Sequence, residues 1–233
     1  MGGARQRRGA RLTTRARRPA GRPIGILGGT FDPVHVGHLR AAIEMRDALD
    51  LAEVRLVPAH VPPHRPQPAA SAEHRLALLR LAVRGVPGIR VDERELGRAG
   101  PSYTVDTLTE LRAELGARPL CLLVGEDAFR GLSTWHRWQA LFELAHVVVM
   151  QRPPMPNAPD LPAVLAKFVA GRVAHSPSAL AAAPAGLVWR QAIPPLDVSA
   201  TRIRALLRAG HSARFLMTDS CLRYIRGHHL YTD

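Results

Sequence analysis

Lysine is nearly missing from this 233-residue chain: of its 32 basic residues, only Lys167 is not an arginine. Cysteine is almost as rare. Cys121 and Cys221 stand alone, too few for a disulfide framework or a cysteine-built metal cluster, so a reducing, cytoplasmic setting is expected. No apolar run approaches the roughly 18–20 residues of a membrane span, and the start carries no apolar stretch of signal-peptide length, so a soluble chain with no membrane partner is expected. Aromatic residues make up only 5%, yet the hydrophobic share of 46% suffices for a sizeable core in one large domain. No internal repeat is visible.

The formal charge of +13 is unevenly spread, because residues 1–23 carry eight arginines and no acid. That segment reads as a disordered basic extension, with Gly and Pro interrupting any apolar period. Residues 24–233 then form the folded domain. With the extension set aside the balance is modestly positive, which suits a protein that steers anionic small molecules. A nucleic acid is not expected as the main partner, since no RNA-binding motif accompanies the tail.

Apolar runs alternate with helical patterns along the rest of the chain. Strands are predicted at Ile24 to Leu27, Val54 to Val57, Ile89 to Val91, Leu120 to Val124, His146 to Met150 and Leu187 to Trp189. Helices are predicted after His35, at Glu73 to Val83 with Leu76, Leu79 and Val83 inward, at Tyr103 to Leu115, Trp138 to Leu144 and Ala163 to Val169, from Ser199 to Leu207, and at Ala213 to Arg226. Prolines at 153, 154, 156, 159 and 162 make residues 151–185 a surface excursion. A β-α-β-α series implies an α/β, Rossmann-like, doubly wound and mostly parallel sheet with helices on both faces and a small C-terminal helical portion. Ligands of such sheets bind outside the carboxyl ends of the strands, where the strand order reverses.

The segment Gly28-Gly29-Thr30-Phe31-Asp32-Pro33-Val34-His35-Val36-Gly37-His38 occupies such a strand-to-helix turn. Two glycines remove Cβ atoms where a phosphate must approach the backbone, and a helix N-terminus presents N–H groups and a positive dipole end. His35 and His38, three apart, share a face of the first helical turn. Taken alone, the pair is open to two readings, phosphate ligands or zinc ligands; no metal site is assigned. Near the C-terminus, Val198-Ser199-Ala200-Thr201-Arg202-Ile203-Arg204 reads either as a plain helix cap with a basic face or as a second phosphate-binding element. In it Ser199 is the N-cap and Arg202 a solvated neighbour.

Both segments resemble the nucleotidyltransferase superfamily with the H-x-G-H signature, the second matching its S-x-T-x-I-R segment. Within it, Gly-Gly-Thr-Phe-Asp-Pro-Val-His together with Val61-Pro62-Pro63-His64-Arg65 and Pro101-Ser102-Tyr103-Thr104 resembles bacterial nicotinate-nucleotide adenylyltransferases, from about Ile24 to the C-terminus. The resemblance implies transfer of the adenylyl group of ATP to nicotinate mononucleotide. Mg²⁺ accompanies the triphosphate, held largely by phosphate and water. It implies His35, His38 and Arg204 as catalytic, and Gly28, Gly29, Thr30, Phe31, Gly125, Asp127, Ser199 and Thr201 with them around ATP. For the mononucleotide it implies Thr104, Trp135, His64, Arg65, Tyr103 and Arg152. Two departures stand out: His136 where relatives often have tyrosine, and Arg65 where many have lysine. His136 or backbone N–H groups would then read the nicotinate carboxylate. Nicotinamide mononucleotide, phosphopantetheine and flavin or lipid precursors remain as alternative acceptors, and homo-oligomerisation is left open.

Overall fold

The computed structural model describes residues 21–62, 67–151 and 160–232. Six strands form one sheet in the order β3-β2-β1-β4-β5-β6: β1 Ile24–Gly29, β2 Glu53–Pro58, β3 Ile89–Val91, β4 Leu120–Gly125, β5 His146–Gln151 and β6 Val188–Ala192. Every neighbouring pair is parallel, in line with the expected mostly parallel sheet. The order reverses between β1 and β4, which puts the carboxyl ends Gly28-Gly29 and Gly125 side by side at the switch point.

Strand alternation builds the two apolar layers. Ile24, Ile26, Leu122, Val124, Val147 and Val149 face one side, against Val105, Leu108 and Leu111 of α3 (Thr104–Leu115) and against Phe129 and Phe142. Leu27, Leu56, Cys121, Leu123 and Val148 face the other. There they meet Ala42 and Met45 of α1 (Val36–Ala48), Leu78 and Leu79 of α2 (Ala72–Val83), Ile203 of α7 (Ala200–Arg208), and Leu222 and Ile225 of α8 (Asp219–Gly227). Strands covered on both faces read as near-continuous apolar runs, as these do. At the far end of the sheet Arg22, counted by sequence in the basic extension, donates to the carbonyls of Asp50 and Leu51. The extension's residues 1–20 lie outside the described part of the chain.

Four details differ from the sequence reading. The inward face of α2 is Arg75, Leu78, Leu79 and Ala82, one position away from the expected stripe except at Leu79, with a buried arginine inside it. The last helix begins at Asp219 rather than Ala213. Residues 213–217 instead fold into a tight turn with Phe215 in the left-handed region, and the Thr218 hydroxyl caps α8 by accepting from the Cys221 N–H. A short helix, α4 (Glu126–Arg130), follows β4 directly. The expected helix at 138–144 starts as a 3-10 turn at Trp138–Ala140 and becomes α5 only at Leu141–Leu144. The remaining helix, α6, spans Ala163–Val169 as expected.

Packing under the sheet leaves no room at Gly25. A Cβ there would stand 2.8 Å from Leu51 Cδ1, 3.0 Å from Val54 Cγ2 and 3.1 Å from Leu123 Cδ1. Gly25→Ala should therefore destabilise the fold by about 1–3 kcal/mol through overpacking. The check is the urea midpoint at unchanged m-value; an unmoved midpoint would mean that this face is not closely packed.

Candidate nucleotide site

The turn after β1 carries the geometry. Gly28 is exposed, with open space where a Cβ would project, and Phe31 adopts φ +50°. His35 is the N-cap of α1, extended at φ −143°, and its ring stacks on His38 at 3.7 Å between centroids. Phe31 meets the His38 ring edge-on at 5.0 Å. The His35 backbone N–H donates to His38 Nδ1 at 3.3 Å. An accepting Nδ1 leaves the ring proton on Nε2, so His38 offers Nε2–H as a donor.

The two signatures are in physical contact. A Cβ on Gly37 would lie 2.7 Å from Val198 Cγ1 and 3.0 Å from His35 Nδ1, so the glycine between the histidines lets the segment before α7 lie against the start of α1. Ser199 caps α7 by accepting from the Arg202 N–H, and Ile203 is buried beneath it. That orientation sends Arg204 back across the turn. Its Nη1 donates to the Asp32 carbonyl at 2.6 Å, and Nη2 reaches Thr201 Oγ1 at 3.5 Å. Ser199 and Thr201 are exposed, and Arg202 sits at the surface 3.5 Å from Asp197.

Below the turn lies Arg75, 1% exposed. It donates to four backbone carbonyls: Thr30 at 2.8 Å, Ala59 at 2.7 Å, and Ala70 and His60 at 3.3 Å. Burial lowers its pKa and the Asp32 charge opposes the shift, yet a guanidinium remains charged. Asp32 is buried too; its carboxylate accepts from the Ala69 and Ala70 N–H groups and from the Tyr231 hydroxyl. Sequence reasoning passed over Arg75, Asp32 and Tyr231 as site residues. A signal for Arg75 was present, since it occupies the first place of the i, i+3, i+4, i+7 stripe 75, 78, 79, 82.

A second group of predicted residues sits on the same rim. Tyr103 is the N-cap of α3 and Thr104 its first residue, both half-buried. The Tyr103 ring stacks on His136 at 4.4 Å. Trp135, next in chain, packs partly against the core under α3. Ser102 ties this group to the end of β2: its N–H donates to the Val61 carbonyl, and its Oγ accepts from the His60 N–H at 2.9 Å. Beneath it Glu95 is 7% exposed and accepts from Thr107 Oγ1 at 2.6 Å. Across the switch point Gly125 is open above its Cα, Asp127 is exposed, and Glu126 is held by Arg190 at 2.8 Å. Among the described residues no group of three or more His, Cys, Asp or Glu side chains could hold a metal ion, and no helix is long and apolar enough to cross a membrane. His64, Arg65 and Arg152 lie outside the described residues.

A switch-point crevice joining an H-x-G-H helix start to a capped basic helix is the arrangement of a nucleotidyltransferase. The cytidylyltransferase-like family profile matches residues 26–206, and the chain belongs to that family. Within it the chain belongs with the nicotinate-nucleotide adenylyltransferases. It is 56% identical over 199 residues to the "Probable nicotinate-nucleotide adenylyltransferase" of Halorhodospira halophila, covering 85% of this chain and 90% of that one. It is 52% identical over 215 residues to the protein of the same name in Pseudomonas aeruginosa, covering 91% and 98%. Among solved structures, nicotinic acid mononucleotide adenylyltransferase of Plasmodium falciparum, complexed with NaAD, superposes at a TM-score of 0.68. That match covers 91% of this chain and 98% of the other; at 15% identity it bears on the fold alone.

Gly37→Ala should weaken the contact between α1 and α7 and lower nucleotide affinity, and trimming the obstacle with Val198→Ala in the same chain should restore part of it. A Gly37→Ala protein that binds an ATP analogue like the parent would remove this contact from the account. Burial raises the pKa of Glu95 above its ordinary 4.5, against the hydrogen bonds from Thr107 and Ser102. Its contribution to stability is therefore complete below 4.5 and is lost as pH rises through the folded-state value. Glu95→Gln, which stays neutral, should gain melting temperature relative to the parent as pH rises above 4.5. An offset that does not change with pH would contradict this.

Proposed function

We infer that the chain transfers the adenylyl group of ATP to nicotinate mononucleotide, releasing pyrophosphate and nicotinate adenine dinucleotide in NAD biosynthesis. The observation that carries this is the meeting of the His35-Val36-Gly37-His38 helix start with the 198–204 segment at the switch point, in a chain 49–56% identical to relatives bearing that name. Mg²⁺ would accompany ATP as part of the substrate, held largely by phosphate and water. The enzyme works in the cytoplasm on small nucleotides, with neither nucleic acid nor membrane as a main partner; homo-oligomerisation is left open.

The reaction asks little covalent chemistry of the protein. An oxygen of the mononucleotide 5′-phosphate attacks the α-phosphorus of ATP in line, the bond from that phosphorus to the αβ-bridging oxygen breaks, and pyrophosphate leaves with the bonding pair. The nucleophile is already ionised, so no general base is required, and catalysis rests on alignment and on neutralising the charge that gathers on the pyrophosphate. Gly28, Gly29, Thr30 and Phe31 shape the floor on which the phosphates lie, at the positive end of α1. His35 and His38 donate to the α- and β-phosphate oxygens, His38 through Nε2–H. Arg204 adds a fixed cation with a planar fork, while Ser199 and Thr201 add donors at the start of α7. Gly125 leaves room for the nucleotide and Asp127 meets a ribose.

On the acceptor side, Trp135 offers a flat apolar face to the pyridine ring, and Tyr103 and Thr104 border its carboxylate. The stacking of His136 on Tyr103 sets an imidazole where it can read a carboxylate. His64 and Arg65 act as a phosphate-facing pair and Arg152 borders the nucleotide pocket, roles that rest on the sequence resemblance.

His38→Ala should lower kcat by about 10²–10³ with the fold retained, the loss typical of one transition-state donor. Pyrophosphate release from MgATP and nicotinate mononucleotide reports it. A folded variant with the parent's turnover would remove His38 from the mechanism.

A further inference from the structure

We propose that Tyr231, at the far end of the chain, is a positioning residue of the nucleotide site: its phenolic O–H secures Asp32, and through Asp32 the seat of Arg204. This builds on the reading of Arg204 as an ATP ligand. The Tyr231 hydroxyl donates to Asp32 Oδ1 at 2.8 Å across 199 positions of sequence. The Asp32 carboxylate takes the Ala69 N–H on Oδ2 at 2.8 Å and the Ala70 N–H on Oδ1 at 3.1 Å, and its backbone carbonyl takes Arg204 Nη1 at 2.6 Å, with the same Nη1 3.8 Å from Oδ2. Whatever holds the carboxylate therefore holds the carbonyl that Arg204 rests on.

The chain takes some trouble to deliver this phenol. At the end of α8 the Leu230 N–H closes on the Ile225 carbonyl at 3.0 Å with His229 at φ +50°, a left-handed closure that turns the chain back into the body. Tyr231 itself sits at φ +62°, a conformation that L-residues other than Asn and Asp seldom hold, 7% exposed and part of the apolar layer that also holds residues of α1, α2, α7 and α8. A ring needed only for packing would not require the left-handed backbone to bring its oxygen to one carboxylate. Burial and the neighbouring Asp32 charge push the phenol pKa well above its ordinary value, so it remains a donor throughout the working pH range.

The variant Tyr231→Phe keeps the ring and removes only the hydroxyl. Its affinity for a non-hydrolysable ATP analogue with Mg²⁺, measured by calorimetry, should fall about tenfold, the scale of one lost charge-assisted hydrogen bond, with melting temperature within a few degrees of the parent. In an Arg204→Lys background the same change should have little further effect, because the anchor it serves is already altered. In turnover the loss should appear in kcat/KM for ATP, with the KM for the mononucleotide unmoved. Parent-like analogue affinity in Tyr231→Phe, or losses that simply multiply with those of Arg204→Lys, would overturn the proposal. Analogue binding is read without any acceptor, so failure of the parent to use nicotinate mononucleotide would sink the functional reading and leave this test standing.

Discussion

A loop that must keep N–H groups available for phosphate cannot also satisfy its own backbone, and in this protein a buried arginine does that work from below. Arg75 spends its donors on carbonyls of the turn after β1, the segment after β2 and the start of α2. A buried cation without compensation would be prohibitively costly; four carbonyls and the nearby Asp32 carboxylate offset the desolvation. Removing Arg75 would leave four buried carbonyls without their donor, so the turn and the segments before and beside α2 depend on it, while α7 is tied to the same turn through Arg204 and Asp32.

The same constraint ties together segments that lie far apart in the sequence. Residues 28–38, 59–60, 70–75, 199–204 and 231 are joined by hydrogen bonds and by one apolar layer on the same side of the sheet. Substrates that bring their own nucleophile and leaving group need just such a rigid, positive crevice at the switch point. The group around Tyr103 and His136 is held separately, by the Ser102–His60 bond and the buried Glu95–Thr107 pair beneath α3.

The six strands, the parallel α/β class and the two signature segments were legible because each rests on a local signal: apolar strands of central-sheet type, the 3.6 period, and residue types with a stated reason for their spacing. Ser199 declared itself as a cap because serine at a helix start has one obvious partner. The 213–217 turn stayed hidden, since Ala213 and Leu216 continue a helical rhythm and nothing in the sequence announces the left-handed Phe215. Arg75 and Tyr231 were missed for a different reason. The period does place Arg75 on the inward stripe, but the partners that give the two residues their roles lie 5 to 199 positions away and are not encoded in composition or period. Gly37 falls between the two cases: its place in the motif was plain, while the Val198 methyl that demands a glycine there emerges only from packing.

Acceptor choice is where the account is most exposed. The direct measurement is the rate of pyrophosphate release with MgATP, comparing nicotinate mononucleotide with nicotinamide mononucleotide at matched concentrations. A kcat/KM preference for the acid above about 100-fold, about 2.7 kcal/mol in the transition state, is the expected result. Comparable rates with the two acceptors, or release with neither, would contradict it.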